Sequence, residues 1–249
     1  HQAFRDWYQT HLGQLLAEAE TECLNEVLPD LFGFHLLQIG AHGSEVLCQA
    51  SRITHQIHLE CDAPQITSGI YGHASRLPFA NESFDLIFSS LSMQWCNDLN
   101  AALLEARRVL TPGGLFVFST FGPDTLKELK QSWSAIDGGD HVNQFIDMHD
   151  IGDALLQGGY AEPVMEAEIM TVTYDSVDAI MHDLKAIGAN ITASVSSRVS
   201  SKKGLMGKSV LQTVRRSYES FRRDDVLPAT YEIIYGHAWK AENVAIKTQ

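Results

Sequence analysis

The chain has 249 residues, of which 45% are hydrophobic and 20% are charged, a composition typical of a folded globular protein rather than a disordered one. Its formal net charge of −13 argues against general binding to nucleic acid, and it contains no run of about eighteen apolar residues that would span a membrane. The four cysteines form no CxxC pair, the eleven histidines are scattered, and no secretory signal is recognisable, so we expect a cytoplasmic protein with reduced thiols and no metal site.

The first predicted elements are one helix and three short strands. Phe4, Trp7, Leu12 and Leu16 recur at helical spacing and predict a helix over 4–29. Apolar or alternating runs then predict strands, in chain order, at 35–39, 55–61 and 70–74.

The rest of the chain alternates regularly between strands and helices. Further strands are predicted at 84–89, 115–120, 164–174 and 231–239. Further helices are predicted from Asn97 or Asp98 through Val109, and at 124–133, 148–158 and 177–187. Because this alternation produces βαβ units, the sequence predicts the α/β class, with a doubly wound, mostly parallel sheet covered by helices on both faces.

We expect a single domain over 1–249. It comprises an N-terminal helical segment (1–34), a core (35–120) and a second half (121–249). The second half contains a mobile, basic insert of helix and loop at about 188–223, which is rich in Ser, Gly and Lys where it begins.

The connection between the second and third predicted strands is short. Gly72 follows Gly40 by only 32 positions, which leaves room for one helix and one strand. Residues 62–67 then join the two strands, and they number about half of the dozen residues that a parallel crossover needs. We therefore expect these two strands to form a hairpin.

Two groups of candidate ligand-binding residues follow predicted strands. Ligands of open parallel sheets lie beyond the carboxyl ends of strands, near the point where strand order reverses. Gly40, Ala41 and Gly43 follow the first strand, where the backbone can approach a ligand closely. Glu60 or Asp62 ends the second strand and can accept hydrogen bonds from the hydroxyls of a ribose. An ordinary turn and a solvated strand-end acid remain open as alternatives.

A third candidate region begins at Gly72 and reads GHASRLPFANESFDLIFSSLSMQWCNDLNAALLEARRVLTPGGLFVFSTF. This block resembles the central half of the class I S-adenosylmethionine (SAM)-dependent methyltransferases. The resemblance implies a Rossmann-like fold with SAM as the cofactor. It places His73 and Ala74 beside the adenine, and Ser90 and Leu91 at the methionine end.

The first half of the chain departs from that family. Gln38 and His73 stand where the family has acidic residues, and only Gly40 and Gly43 remain of its alternating glycines. An open cleft beside these residues would indicate a cofactor site that works. A cleft filled by His42 or His73 would indicate a protein that has lost it.

The C-terminal half resembles a narrower family. The blocks FSTFGPDTLKELKQSW, HVNQFIDMHDIGDAL, MHDLKAIGAN and LPATYEIIYGHAWK are similar to the malonyl-acyl-carrier-protein O-methyltransferases of early biotin synthesis. The resemblance implies methyl transfer to the free carboxylate of a malonyl thioester on an acyl carrier protein. Such carrier proteins are acidic, so basic residues are candidates for docking, with a solvated, mobile loop as the alternative. They are Lys202, Lys203, Lys208, Arg215 and Arg216.

Methylation of a carboxylate needs little acid–base catalysis, because this nucleophile is ionised at neutral pH. A cation or a hydroxyl is expected to hold it in line with the methyl group. His237 is the preferred candidate, since a polar ring in an apolar strand needs a partner. Tyr235, Lys185 and Arg222 are further candidates. Two other functions stay open: a non-catalytic protein that binds an acyl carrier protein, and a methyltransferase for a small molecule. The sequence leaves the oligomeric state open.

Overall fold

The structure, a computed structural model, describes residues 7–40, 47–48, 51–60, 70–134, 136, 142–186 and 208–242. In that part of the chain, seven strands form one sheet. They are β1 (His35–Ile39), β2 (His55–Glu60), β3 (Ile70–Tyr71), β4 (Phe84–Ser89), β5 (Leu110–Phe121), β6 (Tyr160–Tyr174) and β7 (Leu227–Lys240). Their order across the sheet is β3-β2-β1-β4-β5-β7-β6.

The same residues form six α-helices. They are α1 (His11–Val27), α2 (Leu99–Val109), α3 (Lys127–Ser134), α4 (Met148–Gln157), α5 (Val177–Ala186) and α6 (Lys208–Tyr218). None of these helices is both long enough and apolar enough to cross a lipid bilayer.

Helices pack against both faces of the sheet. On one face, Leu24 of α1 packs with Leu36 of β1 and Phe88 of β4. On the other face, Leu103 of α2 packs with Ile87 of β4. Both helical layers therefore pack on the same central strands. Burying each large apolar side chain contributes roughly 1.5–3 kcal/mol to the stability of the fold. This arrangement confirms the predicted doubly wound α/β fold.

Six strands of the sheet run in the same direction, and β7 runs in the opposite direction. β3, β2, β1, β4 and β5 run in the same direction, whereas β7 is antiparallel to both β5 and β6. The predicted mostly parallel sheet is therefore confirmed.

The expected hairpin between the second and third strands is wrong. β3 pairs parallel with the end of β2, with Leu59 opposite Ile70 and Glu60 opposite Tyr71. Because β3 has only two residues, the chain has to return by only about 7 Å to pair in this way. The dozen residues of a full crossover are needed only where the chain must return along a whole strand.

Side-chain caps fix where two of the helices begin. The Thr10 hydroxyl accepts a hydrogen bond from the Gly13 N–H at 3.3 Å, so α1 begins at His11, whereas residues 4–6 of the predicted helix lie outside the described residues. The Asp98 carboxylate accepts the Ala101 N–H at 3.0 Å, which confirms one of the two predicted caps of α2.

Three strands are longer than their apolar runs. β5 begins at Leu110, which pairs with Phe84, whereas the strand was predicted to begin at 115. β6 and β7 pair with each other from Tyr160 to Tyr174, and most side chains of β6 are exposed or half-buried. Apolar patterning therefore underestimates strands that are held mainly by backbone pairing.

Candidate functional site

The strand order reverses between β1 and β4. The chain runs outward from β1 through β2 to β3, and then returns to place β4 on the other side of β1. The two strand ends are joined by a hydrogen bond from the Ser90 N–H to the Ile39 carbonyl at 3.1 Å. Gly40, with a φ of 79°, adopts a conformation that glycine reaches without steric cost. Open sheets bind their ligands at such an edge.

A row of polar side chains lies at this edge, on the face covered by α1. Because side chains alternate along a strand, Gln38 shares a face with Leu36, and Ser119 shares that face with Val117. Tyr235 of β7 lies opposite Ser119 in the strand register. We call four buried residues the polar row: Gln38, Ser90, Ser119 and Tyr235.

Glu20 of α1 contacts the polar row. Its side chain is only 1% exposed. The Ser90 hydroxyl donates to both carboxylate oxygens, at 2.9 and 3.1 Å, and the Ser119 hydroxyl donates to Oε1. The Tyr8 hydroxyl lies beside them and also favours the ionised form of Glu20. Glu20 is thus a buried acid held by the hydroxyl groups of Ser90 and Ser119.

The buried charge of Glu20 has no counter-ion in the described part of the chain. Burial raises the pKa of the Glu20 carboxyl to about 7, although the hydrogen bonds from Ser119, Ser90 and Tyr8 act in the opposite direction. Burial, and then the nearby charge of Glu20, raise the pKa of the Tyr235 hydroxyl. A buried carboxylate that lacks a cationic partner costs free energy, so its presence calls for an explanation other than stability.

Two members of the polar row carry buried polar atoms without a hydrogen-bond partner among the described residues. They are both atoms of the Gln38 amide and the Tyr235 hydroxyl. Buried polar groups of native proteins are nearly always hydrogen-bonded, so atoms of this kind mark a place where a water molecule or a ligand supplies the partner. A carboxylate, an amide and hydroxyls suit a small polar ligand that carries a positive charge.

Leu91 connects the end of β4 to β5. Its φ of 36° lies in the left-handed region, which is uncommon for a residue other than glycine. Its N–H donates to the Ser119 hydroxyl oxygen at 2.9 Å, which leaves the hydroxyl proton for Glu20. Backbone strain of this kind is concentrated at functional sites.

The structure brings together three of the predicted cofactor residues, namely Gly40, Ser90 and Leu91. The predicted Ala41 and Gly43 lie outside the described residues, as does His42, one of the two residues considered as a plug.

Three other predicted cofactor residues lie at the ends of β2 and β3. Glu60 ends β2, and its carbonyl accepts the Gly72 N–H at 3.1 Å, which sets these two residues side by side. The His73 side chain is exposed, with its ring centroid 6.5 Å from that of Tyr71, so it does not fill a cleft at this edge. Ala74 follows it and is half-buried.

Two of the residues predicted to hold the substrate carboxylate, Tyr235 and His237, lie on β7. Tyr235 belongs to the polar row. His237 points to the same face but lies opposite Val117, two residues nearer to the amino end of β5. The structure therefore sets Tyr235, rather than His237, opposite Ser119.

Two of the predicted basic residues are engaged within the protein. Arg215 pairs with Asp178 at 2.5 Å. Arg222 pairs with Glu219 at 2.7 Å and also donates to the Asp225 carbonyl at 2.7 Å. The Arg222 guanidinium is thus occupied by local partners, which weakens its assignment as the group that holds a substrate.

The other predicted basic residues are more accessible or lie outside the described residues. The side chains of Lys185 and Arg216 are exposed. Lys202 and Lys203 fall in the stretch 187–207, which lies outside the described residues, and the Lys208 side chain is also not described.

The site residues predicted from the sequence did not include Glu20 and Ser119. One signal was present for Glu20, because Leu16, Glu20 and Leu24 are spaced by four residues on the buried stripe of α1. An acid at such a position contradicts the apolar pattern around it. Ser119 carried no signal in a strand that contains several small polar residues.

A small pocket lies nearby, on the opposite face of β5. The Thr120 hydroxyl points there and donates to the Gln94 side-chain oxygen at 2.9 Å, and Phe145 and Ile151 line the same space. In the described residues, no group of three or more His, Cys, Asp or Glu side chains is arranged to hold a metal ion.

Comparisons with known proteins identify relatives. Residues 43–118 match the family described as Methyltransferase domain. The chain is 52% identical over 164 residues to the malonyl-[acyl-carrier protein] O-methyltransferase of Gallionella capsiferriformans, covering 66% of this chain and 55% of that protein. It is 52% identical over 165 residues to the protein of the same name from Laribacter hongkongensis, covering 66% and 54%. The chain thus spans about half the length of the curated relatives that it matches.

Solved structures share the fold. A Bacillus halodurans protein superposes with a TM-score of 0.60 at 14% identity, covering 90% of this chain and 99% of that one. Phosphoethanolamine N-methyltransferase 2 of Haemonchus contortus, solved with phosphomonomethylethanolamine and S-adenosylhomocysteine, superposes with a TM-score of 0.52 at 14% identity, covering 96% and 61%. At this level of identity the likeness establishes the architecture alone.

Proposed function

We propose that the chain is a SAM-dependent carboxyl O-methyltransferase acting on malonyl-acyl-carrier protein, since residues 43–118 match the family described as Methyltransferase domain. The observation that carries the proposal is the 52% identity, over two thirds of this chain, to relatives named for that reaction. The buried polar row at the reversal of strand order supports it, because it offers a polar site where this fold binds ligands.

SAM, when bound, supplies an electrophilic methyl group on a sulfonium. The amide of Gln38 fits its amino-acid end, because its polar atoms have no partner among the described residues at this edge of the sheet. Ser90 and Leu91 form the wall beside them. The nucleoside part of SAM is assigned to the carboxyl ends of β1, β2 and β3. The residues assigned to it are Gly40, Ala41, Gly43, Glu60, His73 and Ala74.

The acceptor carboxylate needs to be positioned rather than activated, since carboxylic acids are ionised at neutral pH. The Tyr235 hydroxyl is buried beside the polar row and has a proton to donate, because burial keeps it un-ionised. A hydrogen bond from Tyr235 to one carboxylate oxygen leaves the other free to attack the methyl group. His237, on the same face of β7, is the second candidate for this role.

Docking of the carrier protein is assigned to basic residues of the C-terminal half. Residues 198–223 contain eight basic side chains and one acidic side chain, in a chain whose net charge is −13. An acidic carrier protein is attracted to this segment and repelled by the rest of the chain, which favours a specific orientation. The residues assigned to it are Lys202, Lys203, Lys208, Arg215 and Arg216, whereas Lys185 and Arg222 stay candidates for holding the substrate carboxylate.

The decisive experiment incubates the full chain with SAM and malonyl-acyl-carrier protein and measures methyl ester on the carrier protein by mass spectrometry. Acetyl-acyl-carrier protein, which has no free carboxylate, is the matched control for the acceptor. Malonyl-coenzyme A tests whether the carrier protein is needed. Methylation of malonyl-acyl-carrier protein alone supports the proposal. Equal turnover of malonyl-coenzyme A would indicate a small-molecule methyltransferase instead. Binding of the carrier protein without methyl transfer would indicate a non-catalytic partner.

A further inference from the structure

We propose that Glu20 is the residue that receives the positively charged methionine end of SAM, with Ser90 and Ser119 holding its carboxylate in position. The proposal rests on the proposed use of SAM as cofactor. It adds a contribution from α1, a helix that contains none of the residues predicted from the sequence to bind the cofactor.

The first argument is charge. SAM carries an ammonium group and a sulfonium at its methionine end, and both need a negative partner when they leave water. Glu20 is a buried acid at the strand-end edge, and the cationic groups of the described residues leave it without an ion pair. A cation placed beside this carboxylate would gain a charge-assisted hydrogen bond, which is about twice as strong as a neutral one.

The second argument is the number of hydrogen-bond donors. An ionised carboxylate offers about four acceptor positions. Ser90 and Ser119 each donate one hydroxyl proton to Glu20, and the Ser90 proton is shared between the two carboxylate oxygens. Two protons serve these positions, so the carboxylate can accept a further donor from a ligand. The Gln38 amide, on the same face of the sheet, has no hydrogen-bond partner among the described residues, so it offers further polar atoms to the same group.

A buried acid with a structural role has different hydrogen-bond partners from those of Glu20. Glu128 of α3 is also buried, and it accepts the Thr230 backbone N–H at 3.1 Å and the Thr230 hydroxyl at 2.5 Å. This arrangement ties α3 to β7 through a backbone group. The partners of Glu20 are side-chain hydroxyls, which can reorient when a ligand arrives. Glu128 is therefore a matched control for a buried carboxylate that takes no part in ligand binding.

The test is calorimetric titration of wild type, Glu20→Gln and Glu128→Gln with three ligands. SAM carries both cationic groups, S-adenosylhomocysteine lacks the sulfonium, and 5′-methylthioadenosine lacks the whole amino-acid end. We expect Glu20→Gln to weaken SAM binding by about 10-fold to 100-fold, the effect of losing one hydrogen bond to a charged group. We expect 5′-methylthioadenosine to bind both Glu20→Gln and wild type within twofold. Glu128→Gln should bind all three ligands as wild type does.

The outcomes separate this proposal from the proposed function. If wild type binds SAM and Glu20→Gln binds it equally well, the role of Glu20 is overturned while the proposed function stands. The role of Glu20 also fails if 5′-methylthioadenosine loses as much affinity as SAM, since the effect would then not depend on charge. If wild type binds none of the three ligands, both proposals fail. Circular dichroism of each variant establishes that it is folded.

Discussion

The Ser90 hydroxyl donates to both oxygens of the Glu20 carboxylate, at 2.9 and 3.1 Å, although the two residues are 70 positions apart in the sequence. This contact joins α1 to the segment that follows β4, at the reversal of strand order. It keeps a charged group in a place where an apolar side chain would stabilise the fold more. The free energy that this costs is open to measurement.

We predict that Glu20→Gln stabilises the protein above neutral pH. The folded carboxyl has a pKa of about 7, against an ordinary value of 4.5. Between these two values the folded protein keeps a proton that the unfolded chain has lost, so its stability falls as the pH rises. The full difference corresponds to roughly 3 kcal/mol. Urea unfolding from pH 4 to pH 8 should show the advantage of Glu20→Gln over wild type growing by about this amount.

Glu128→Gln provides the control for that series. It removes a carboxylate that accepts a backbone N–H, so we expect a loss of stability of roughly 1–3 kcal/mol at neutral pH. A Glu20→Gln advantage that does not change with pH would show that Glu20 is ionised in the folded protein as readily as in the unfolded chain.

Tyr235→Phe should separate stability from methyl transfer. The Tyr235 hydroxyl is buried and has no partner among the described residues, so removing it relieves a desolvation cost and should raise stability by about 1 kcal/mol. The same change should lower kcat for malonyl-acyl-carrier protein about 10-fold, with SAM affinity unchanged. Chemical unfolding, steady-state kinetics and calorimetry make the three measurements.

His237→Ala is the companion variant on β7. His237 lies on the same face of β7 as Tyr235 but two residues farther along the strand, opposite Val117 rather than Ser119. If it orients the acceptor, His237→Ala reduces methyl transfer while SAM affinity stays within twofold of wild type. Full activity of His237→Ala would leave Tyr235 as the group that holds the carboxylate.

Arg108 of α2 is predicted to stabilise the segment before β4. Its guanidinium donates to the carbonyls of Leu77 and Phe79, at 3.0 and 2.9 Å, and to the Asn81 side chain at 2.8 Å. It also pairs with Glu105 at 2.8 Å, and its hydrogen bond holds the pKa of that carboxyl below the usual value. Arg108→Ala should therefore cost roughly 1–3 kcal/mol in urea unfolding, and amide exchange should rise between 77 and 81.

The neighbouring Arg107 is the matched control. Its guanidinium donates to the Gly159 carbonyl at 3.0 Å, a single contact that ties α2 to the start of β6. Arg107→Ala should cost about 1 kcal/mol and leave amide exchange before β4 unchanged. Equal losses in the two variants would contradict the role assigned to Arg108.

The sequence predicted the buried central strands well, because apolar runs such as 84–89 are packed on both faces. It failed where pairing depends on a few residues. Ile70 and Tyr71 form a parallel strand of two residues, which no spacing rule distinguishes from a hairpin. The exposed strand β6 was predicted too short for a related reason, since its stability comes from pairing with β7 rather than from burial.

The candidate site was predicted in part. Ser90 and Leu91 were identified through the resemblance to the methyltransferase family, and both lie at the reversal of strand order. Glu20 was missed because its contacts are long-range, with Ser119 being 99 positions away. Periodicity reveals that an acid lies on a buried face, but only the folded sheet shows which hydroxyls meet it there.

The last prediction concerns docking of the carrier protein. Arg216 is exposed, whereas its neighbour Arg215 pairs with Asp178 at 2.5 Å. Reversing the charge at the free position should disrupt an electrostatic contact with an acidic partner. We expect Arg216→Glu to reduce kcat/KM for malonyl-acyl-carrier protein about 10-fold at low salt. The loss should shrink as the ionic strength rises, because salt screens exposed charges.

Two comparisons decide whether this effect belongs to docking. Malonyl-coenzyme A has no acidic protein surface, so any residual turnover of it should be the same in Arg216→Glu and wild type. Arg215→Gln frees Asp178 but leaves Arg216 in place, and it should reduce kcat/KM less than Arg216→Glu does. If Arg216→Glu keeps wild-type kcat/KM at low salt, the carrier protein does not contact α6 at this residue, and docking must be sought among the other basic residues.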